Sequence, residues 1–371
     1  MKKRLFSLFL ALIFICFCGC DFDGSNSRNE NNCTTQGNFD GNSPILPDDS
    51  TFSVHFIDVG QADAILVLCD GKAMLIDGGN VEDSSLLYSY LKKNQVNHLD
   101  YVISTHPHED HVGGLSGALS YASVGVVYSS VLTYSTKAFT NFADKVAAQG
   151  KKLTVPKVGE QFTLGSAKVS ILGPLKDYEE INDTSIVLRL VYGEISFLFT
   201  GDMESLAERD LVDSGAELKS TVLKVGHHGS SSSTSYRFLK AVAPQYGVIS
   251  VGVDNSYEHP HQEPLSRLRD ADVTLYRTDL QGDIICRSDD GKTLRFTTAK
   301  KASTDINPTE SEKTESDSLA STEYSYIGNL NTKIYHTMFC SSLPFEENRI
   351  YFITKEEAAA SGYTSCGKCS P

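Results

Sequence analysis

The feature that most constrains this chain is a group of four potential metal ligands within six residues. In the pattern His-x-His-x-Asp-His, these are His106, His108, Asp110 and His111. An apolar stretch at 99–104 reads as a short buried strand before the motif, and a Gly-Gly pair followed by a helical pattern comes after it. Imidazole nitrogens and carboxylate oxygens bind Zn²⁺, Mn²⁺ or Fe. The spacing therefore predicts a metal site on a loop between a strand and a helix.

The same motif favours two metal ions over one. In a loop that leaves a strand, His106 and His108 point the same way, whereas Asp110 and His111 stand at the helix start and face a second position. A polar surface loop is the alternative interpretation. That alternative is weak, because the histidines and the aspartate come directly after an apolar strand and before a helix.

Further candidate ligands follow two other apolar strands. Asp202 follows the apolar strand predicted at 194–200, and there it either binds metal or caps a helix beginning at 203 or 204. His227 and His228 follow the apolar stretch 221–225. One of these imidazoles completes the second metal position, and we favour His228. His227 then faces the substrate phosphate or serves as a general acid.

The motif and the phrases around it resemble the metallo-β-lactamase fold superfamily, in particular its competence-protein (ComEC) branch. The phrases at 56–63, 75–79 and 223–230 match in family order, and the resemblance covers about 51–298. It implies an α/β fold, an αββα sandwich in which helices such as those predicted at 138–149 and 204–214 cover two sheets. It assigns Asp202 as the carboxylate that bridges two divalent metal ions, Zn²⁺ or Mn²⁺. It also implies phosphodiester hydrolysis by a metal-activated water that Asp110 orients, with DNA as the leading substrate.

One departure from the family concerns the first metal. Many relatives carry a further histidine ligand between the first motif and the bridging aspartate, but none lies between His111 and His227 here. The nearest counterpart offers Asn182 or Asp183, whose oxygen would bind the metal or hold a water and shift preference toward Mn²⁺. Other positions that fall in family phrases, and that contribute either to the metal or substrate shell or only to the structure, are Asp58, Asp77, Ser230, His259, His261 and Arg277.

The net charge of the chain limits the classes of function that it can have. With 47 acidic and 33 basic residues the formal net charge is −14. This charge argues against the class of proteins that coat nucleic acid electrostatically, because those proteins neutralise phosphates with lysine and arginine. An enzyme that holds phosphate through metal ions stays possible. The alternatives are a metallohydrolase of a small ester, lactone, thioester or phosphorylcholine substrate, and a binding module whose ligand cluster only stabilises the fold. No protein partner is identifiable from the sequence.

The first twenty residues resemble a bacterial lipoprotein signal peptide (1–20). A basic start at 2–4 precedes an apolar run at 5–17, and Cys20 would be the lipidated first residue of the mature protein. The polar segment 21–50 then reads as a flexible tether. We therefore expect an extracytoplasmic protein that is anchored to the membrane through its lipid, or alternatively a secreted one.

The C-terminal part carries a second group of potential ligands. After the hydrolase domain (51–298) and a polar linker (299–325), residues 326–371 form a small α+β unit with His336, Cys340, Cys366 and Cys369. Two close pairs of donors in so short a unit predict a structural zinc site, with a disulfide as the alternative. The unit resembles the metal-binding domain of Ada. His336 stands where that family has a methyl-accepting cysteine, so methyl transfer should be lost.

Overall fold

The computed structural model describes residues 51–304, 326–337, 340, 343–344 and 348–369. The predicted signal peptide with Cys20, the predicted tether and most of the predicted linker lie outside these residues. Within the described ranges, no helix combines the length and apolar character that crossing a lipid bilayer requires.

Two mixed sheets form the centre of the region 51–304. Their strands are β1 (Phe52–Phe56), β2 (Ile65–Cys69), β3 (Lys72–Ile76), β4 (His98–Ser104), β5 (Ser123–Ser129), β6 (Leu153–Thr154), β7 (Gln161–Leu164), β8 (Ala167–Gly173), β9 (Val187–Tyr192), β10 (Ile195–Phe199), β11 (Val222–Lys224), β12 (Tyr246–Ile249), β13 (Thr274–Arg277), β14 (Ile284–Ser288) and β15 (Arg295–Thr298). The first sheet has the order β15-β14-β1-β2-β3-β4-β5-β6, and the second has the order β13-β12-β11-β10-β9-β8-β7.

Helices cover the outer face of each sheet. The α-helices of this region are α1 (Ser84–Lys93), α2 (Glu109–Val112), α3 (Leu115–Tyr121), α4 (Lys137–Ala148), α5 (Ser205–Asp213), α6 (Tyr236–Val242), α7 (Gln262–Asp270) and α8 (Thr278–Gln281). Short 3₁₀ turns lie at Val81–Asp83, Asn182–Thr184 and Gly226–Gly229. The helices predicted at 138–149 and 204–214 correspond to α4 and α5.

Three apolar clusters hold the layers together. The central cluster joins the inner faces of the sheets, where the rings of Phe52 and Tyr192 stack with centroids 4.5 Å apart. A second cluster packs α1, α3 and α4 on the first sheet, and a third packs α5, α6 and α7 on the second sheet. Because apolar side chains on both faces of both sheets are buried, the chain adopts the αββα sandwich, and that prediction is confirmed.

The C-terminal unit is a small α+β module. Its elements are β16 (Tyr326–Asn329), β17 (Ile334–Thr337), β18 (Arg349–Phe352), α9 (Lys355–Ala360) and β19 (Thr364–Ser365). The strands form one sheet in the order β18-β16-β17-β19. Its buried apolar cluster consists of Tyr335, Phe352, Ala358 and Tyr363. So small a core contributes little stability by itself.

Candidate metal centre

Strand register brings the candidate ligands to one place. In the first sheet β3 and β4 are parallel, so the residues after Ile76 lie beside the residues that follow Ile103. In the second sheet β10 and β11 are parallel, and Phe199 pairs with Lys224. Asp77, the His-x-His-x-Asp-His loop, Asp202 and the two histidines after β11 therefore all emerge from strand ends.

Close approach of backbones fixes the loop that carries the motif. A Cβ on Gly114 would lie 2.1 Å from the carbonyl oxygen of Gly78, and Gly114 N–H donates to the Gly79 carbonyl. The φ angle of Gly114 is −81°, so any residue type could adopt the backbone conformation here. The glycine is thus required by space rather than by backbone conformation.

Four side chains form the tightest donor group. One ligand atom from each of Asp110, His111, Asp202 and His228 lies within 4.8 Å of the others. His111 Nε2 is 3.2 Å from Asp202 Oδ1, and His228 Nε2 is 3.3 Å from Asp110 Oδ2. Imidazole and carboxylate donors at this spacing match the donor set of Zn²⁺ and Mn²⁺.

The hydrogen bonding of these residues fits a bound cation. His111 Nδ1 donates to Asp77 Oδ2 at 2.8 Å, and His228 Nδ1 donates to the Ser250 carbonyl at 2.9 Å. Both rings therefore direct Nε2 toward the donor group, where the neutral ring would offer its lone pair to a metal ion. His111 Nε2, His228 Nε2 and Asp202 Oδ1 are buried, and their contacts with one another and with Asp110 at 3.2–3.3 Å do not have hydrogen-bond geometry among the described residues. Buried polar atoms left in this way are what a metal ion would satisfy.

A second position adjoins the first through Asp202. His106 Nε2 lies 3.0 Å from His108 Nδ1 and 3.9 Å from Asp202 Oδ2. The two carboxylate oxygens of Asp202 thus face different imidazoles, as a bridging ligand requires. Ser185, rather than a third histidine, stands beside this position: its hydroxyl is 3.5 Å from His106 Nδ1 and accepts the Asp202 N–H.

The electrostatics of the group also suit cations. Burial opposes ionisation of Asp202, yet the neighbouring His111 and His228 hold the pKa of its carboxyl well below the ordinary value of 3.8. Burial acts against protonation of His111, but the charges of Asp202 and Asp77 raise the pKa of the ring well above 6.5. Burial and the charge of His111 lower the pKa of His106. Ionised carboxylates inside the fold are stable only when cations or protons compensate them.

The structure separates the two candidates for the vacant histidine position. Asn182 lines the cavity and its Oδ1 is buried without a hydrogen-bond partner among the described residues. Asp183 does not reach the cavity, because its Oδ1 accepts the backbone N–H of Glu204 at 2.8 Å. In the structure Asn182 is the one of the two residues that faces the cavity, whereas the Asp183 carboxylate accepts a hydrogen bond at the start of α5. Glu204, and not Asp202, is the N-cap residue of α5.

His227 lies at the edge of the donor group, with its Nε2 3.7 Å from Asp202 Oδ2. His227 and His228 both have left-handed backbones, with φ values of 48° and 53°, which β-carbon-bearing residues rarely adopt. This conformation leaves His228 buried, while His227 lines the cavity with its Nδ1 3.1 Å from Glu204 Oε1. The hydrogen bond from His227 is the first cause of the lowered pKa of Glu204. An ionised glutamate thus orients the ring.

A cavity of about 370 Å³ opens over the donors. Its lining includes His108, Asp110, Asn182, Asp202, His227, His228 and His259. Other residues from family phrases are engaged elsewhere. Ser230 Oγ lies 2.9 Å from Ser232 Oγ, His261 Nδ1 accepts the Ser231 N–H, and Arg277 forms two bonds to the carboxylate of Asp279.

Asp58 and Asp77 also lie off the cavity but differ in role. Asp58 Oδ1 accepts the Gly60 N–H at 3.4 Å, and Asp58 contacts none of the donor residues in the described hydrogen bonds. Asp77 lies behind His111 and orients it. Of these two, only Asp77 supports the metal centre.

Sequence reasoning missed a buried ion pair beneath the site. Lys224 Nζ lies 2.8 Å from Asp63 Oδ2, and both side chains are 1–2% exposed. Asp63 Oδ1 in turn is 3.5 Å from His228 Nδ1. A lysine inside the apolar stretch 222–225 was the signal available, because unpaired charges are not tolerated in a core. Glu204 was also missed, although it stands only two residues after Asp202.

The four potential zinc ligands of the C-terminal module lie close together. One ligand atom from each of His336, Cys340, Cys366 and Cys369 lies within 4.8 Å of the others. Cys340 Sγ and Cys366 Sγ are 3.9 Å apart, much farther than a disulfide bond of about 2.05 Å. Backbone N–H groups of Thr337 and Lys368 point at Cys369 and Cys366. Such donors support metal-bound thiolates, so the geometry fits zinc.

Comparison with known families agrees with both sites. Residues 57–253 match the model of the metallo-beta-lactamase superfamily, which is more than half of the chain, and residues 313–371 match the metal binding domain of Ada. The chain therefore belongs to the metallo-β-lactamase superfamily. The family and the donor groups together support a metal-dependent hydrolase.

Individual relatives come from the competence branch. The chain is 29% identical over 250 residues to ComE operon protein 3 of Bacillus subtilis, covering 62% of this chain and 32% of that protein. It is 33% identical over 227 residues to competence protein ComA of Neisseria gonorrhoeae, covering 61% and 30%. The chain thus spans about a third of the length of these relatives.

Solved structures show more distant likeness. YhfI of Bacillus subtilis, a metallo-beta-lactamase fold protein, is 13% identical with a TM-score of 0.42, covering 64% of this chain and 100% of that one. Igni18, a metallo hydrolase of Ignicoccus hospitalis, is 15% identical with a TM-score of 0.41, covering 63% and 98%. Similarity at this level does not inform the substrate.

Proposed function

We propose that this chain is a metal-dependent phosphodiesterase that cleaves DNA. The observation that carries the proposal is that two sets of imidazole and carboxylate donors meet at Asp202 beside one cavity, which His227 also lines. Relatives named for competence and, in Haemophilus influenzae, recombination share this region with the chain. Those relatives support DNA as the substrate.

Three residues at the cavity have distinct roles in the proposed hydrolysis. Divalent ions, when bound, would lower the pKa of a coordinated water and neutralise charge on a phosphoryl oxygen. Asp110, whose side chain is 32% exposed to the cavity, orients the attacking water. His227 donates a proton from Nε2 to the leaving oxygen, while Glu204 accepts its Nδ1–H and fixes the ring.

The test is cleavage of a labelled oligonucleotide by the chain stripped with a chelator and then supplied with Mn²⁺ or Zn²⁺. Cleavage should require metal and should fall by more than about a hundredfold in D202A and H108A, because even outer partners of metal ligands contribute 10–100-fold. H98A removes an exposed histidine outside the cavity and serves as the matched control. DNA cleavage that survives chelation, or equal activity in D202A, would refute the proposal.

A small ester, lactone, thioester or phosphorylcholine substrate is the second candidate. It is favoured by one observation: the described lining of the cavity contains no lysine or arginine that would bind a nucleic acid backbone. The volume of about 370 Å³ is also near the lower end for small-molecule sites. Turnover of such an ester without cleavage of any nucleic acid would select this candidate.

A further inference from the structure

We infer that Tyr257 forms a base-stacking subsite at the rim of the metal cavity, and that the bound DNA is single-stranded. This inference rests on the proposed phosphodiesterase function and specifies its substrate class. Tyr257 lines the cavity, yet 64% of its surface is exposed. An aromatic ring of this size offers a large flat surface for an unpaired base.

The exposure of Tyr257 is built into its loop. Asn255 Oδ1 accepts the N–H groups of both Tyr257 and His259, at 3.2 and 3.0 Å. Asn255 Nδ2 donates to the carbonyl oxygens of Gly252 and His259. The Asn255 side chain therefore forms four hydrogen bonds to the backbone of this turn, and these bonds fix the segment that carries the Tyr257 ring.

A series of nearly parallel rings connects this rim to the metal donors. The rings of Tyr257 and His259 have centroids 5.7 Å apart and planes at 27°, and those of His259 and His228 are 6.5 Å apart at 24°. Gln61 supports the middle ring, since its Nε2 lies 3.3 Å from His259 Nδ1. A base stacked on Tyr257 thus has its backbone close to the donors.

The charge around the cavity favours an unpaired strand over a duplex. Duplex binding draws most of its affinity from lysine and arginine contacts to phosphates, and the described lining has none. Glu109 adds a further acidic group to the lining. Stacking of a base on an aromatic side chain adds about five- to a hundredfold in affinity to what contacts with the phosphates contribute. In a duplex the bases are paired and cannot stack in this way.

The chain contains no tryptophan, so Y257W introduces a unique fluorescent reporter. Three probes of equal length are compared on the full metal-loaded chain: a phosphorothioate oligothymidylate that resists cleavage, the same strand with abasic sugars, and a duplex. L132W is the matched control, because Leu132 is 57% exposed and does not line the cavity. Steady-state cleavage by Y257A and Y257F is measured in parallel.

The fluorescence of Y257W should be quenched by the base-bearing single strand and far less by the abasic strand or the duplex, whereas L132W should not respond. Y257A should raise KM for single-stranded DNA by about five- to a hundredfold, with a smaller effect on kcat, and Y257F should restore the KM. Equal quenching by the abasic strand, or an unchanged KM in Y257A, would overturn the subsite.

The two proposals fail in different ways. If the wild-type chain cleaves no phosphodiester but Y257W still reports base-dependent binding, the hydrolytic function is wrong and the subsite stands. If wild-type and Y257A cleave single-stranded DNA with the same KM, the subsite is wrong and the phosphodiesterase stands.

Discussion

At the scale of single residues, Asp77 shows that the metal centre extends behind its donors. Its carboxylate accepts the N–H and hydroxyl of Thr105 at 2.8 and 2.7 Å as well as the Nδ1–H of His111. Burial raises the pKa of Asp77, while His111 acts to lower it. The orientation of His111 therefore depends on a fixed, buried carboxylate.

We predict that D77N weakens metal binding by about 10–100-fold, because the amide holds the His111 ring less firmly than the carboxylate does. Competition with a chromophoric chelator measures this affinity. D58N is the matched control, since Asp58 follows the neighbouring end of β1 in the chain and does not line the cavity. Equal affinities in D77N and D58N would show that Asp77 does not orient the ligand.

His55 provides a pH dependence that is separate from the metal centre. It is 2% exposed, and its two ring nitrogens lie 3.0 Å from Ser53 Oγ and Tyr90 Oη. Burial, and then the charge of Arg287, lowers the pKa of His55 from 6.5 to about 4. The unfolded chain therefore takes up this proton at higher pH than the folded chain. Stability from the neutral ring is complete above pH 6.5 and is lost as pH falls toward 4.

We predict that the free energy of unfolding decreases between pH 6.5 and 4 by up to about 3 kcal/mol on account of His55. H55L should remove this part of the slope. Urea unfolding at several pH values measures it, with H98Q as the control for losing an exposed histidine. The same slope in H55L and the wild type would contradict the assignment.

Local sequence predicts the donors but not their supports. His106, His108, Asp202 and His228 were predictable because each follows an apolar strand or stands in a dense motif. Glu204 and Asp77 act through partners far along the chain, so only the folded packing shows what they hold. The choice between Asn182 and Asp183 likewise required the structure, in which the Asp183 carboxylate accepts the backbone N–H of Glu204 at the start of α5.

At the scale of elements, one ion pair links the two sheets below the site. Lys224 ends β11 of the second sheet, and Asp63 lies in the loop between β1 and β2 of the first. Their contact at 2.8 Å is almost completely buried. Removing one partner leaves the other charge buried and unpaired, which is strongly destabilising.

We predict that K224M lowers the free energy of unfolding by about 3–5 kcal/mol, because Asp63 is left unpaired in the core. The double variant D63L/K224M should recover most of the loss, since it removes both charges. Urea unfolding of the three chains gives the comparison. A K224M chain as stable as the wild type would show that the pair does not join the sheets energetically.

The long, periodic elements were predictable, whereas the short ones were not. Helices α4 and α5 were expected within one residue of their observed ends, because each has a clear apolar face. The two-residue strand β6 and the four-residue strand β7 carry too few apolar positions for a pattern. The division of the strands into two sheets came from the family resemblance, since periodicity indicates only an α/β protein.

At the scale of the whole molecule, the C-terminal module depends on its donors because its apolar core is small. Among the described residues of the module the buried cluster contains Tyr335, Phe352, Ala358 and Tyr363, with Tyr326 and Ile350 packed against it. A unit of this size normally needs a metal or disulfides in order to fold. The sandwich, with three extensive clusters, does not share this requirement.

We predict that C366A/C369A makes the module sensitive to trypsin at Arg349, Lys355 and Lys368 while the sandwich stays resistant. C286A is the control, because Cys286 is buried in β14 and belongs to no donor group in the described residues. Limited proteolysis followed by mass spectrometry reads the cleavage sites. A module that stays resistant in the double variant would not depend on zinc.

The most direct measurement is anomalous diffraction from crystals of the chain grown with Mn²⁺ or Zn²⁺. Two peaks are expected in the sandwich, both within about 2.0–2.2 Å of Asp202 oxygens, one beside His106 and His108 and the other beside His111 and His228. A map without a peak at Asp202 would contradict the shared metal centre from which the hydrolytic function is argued.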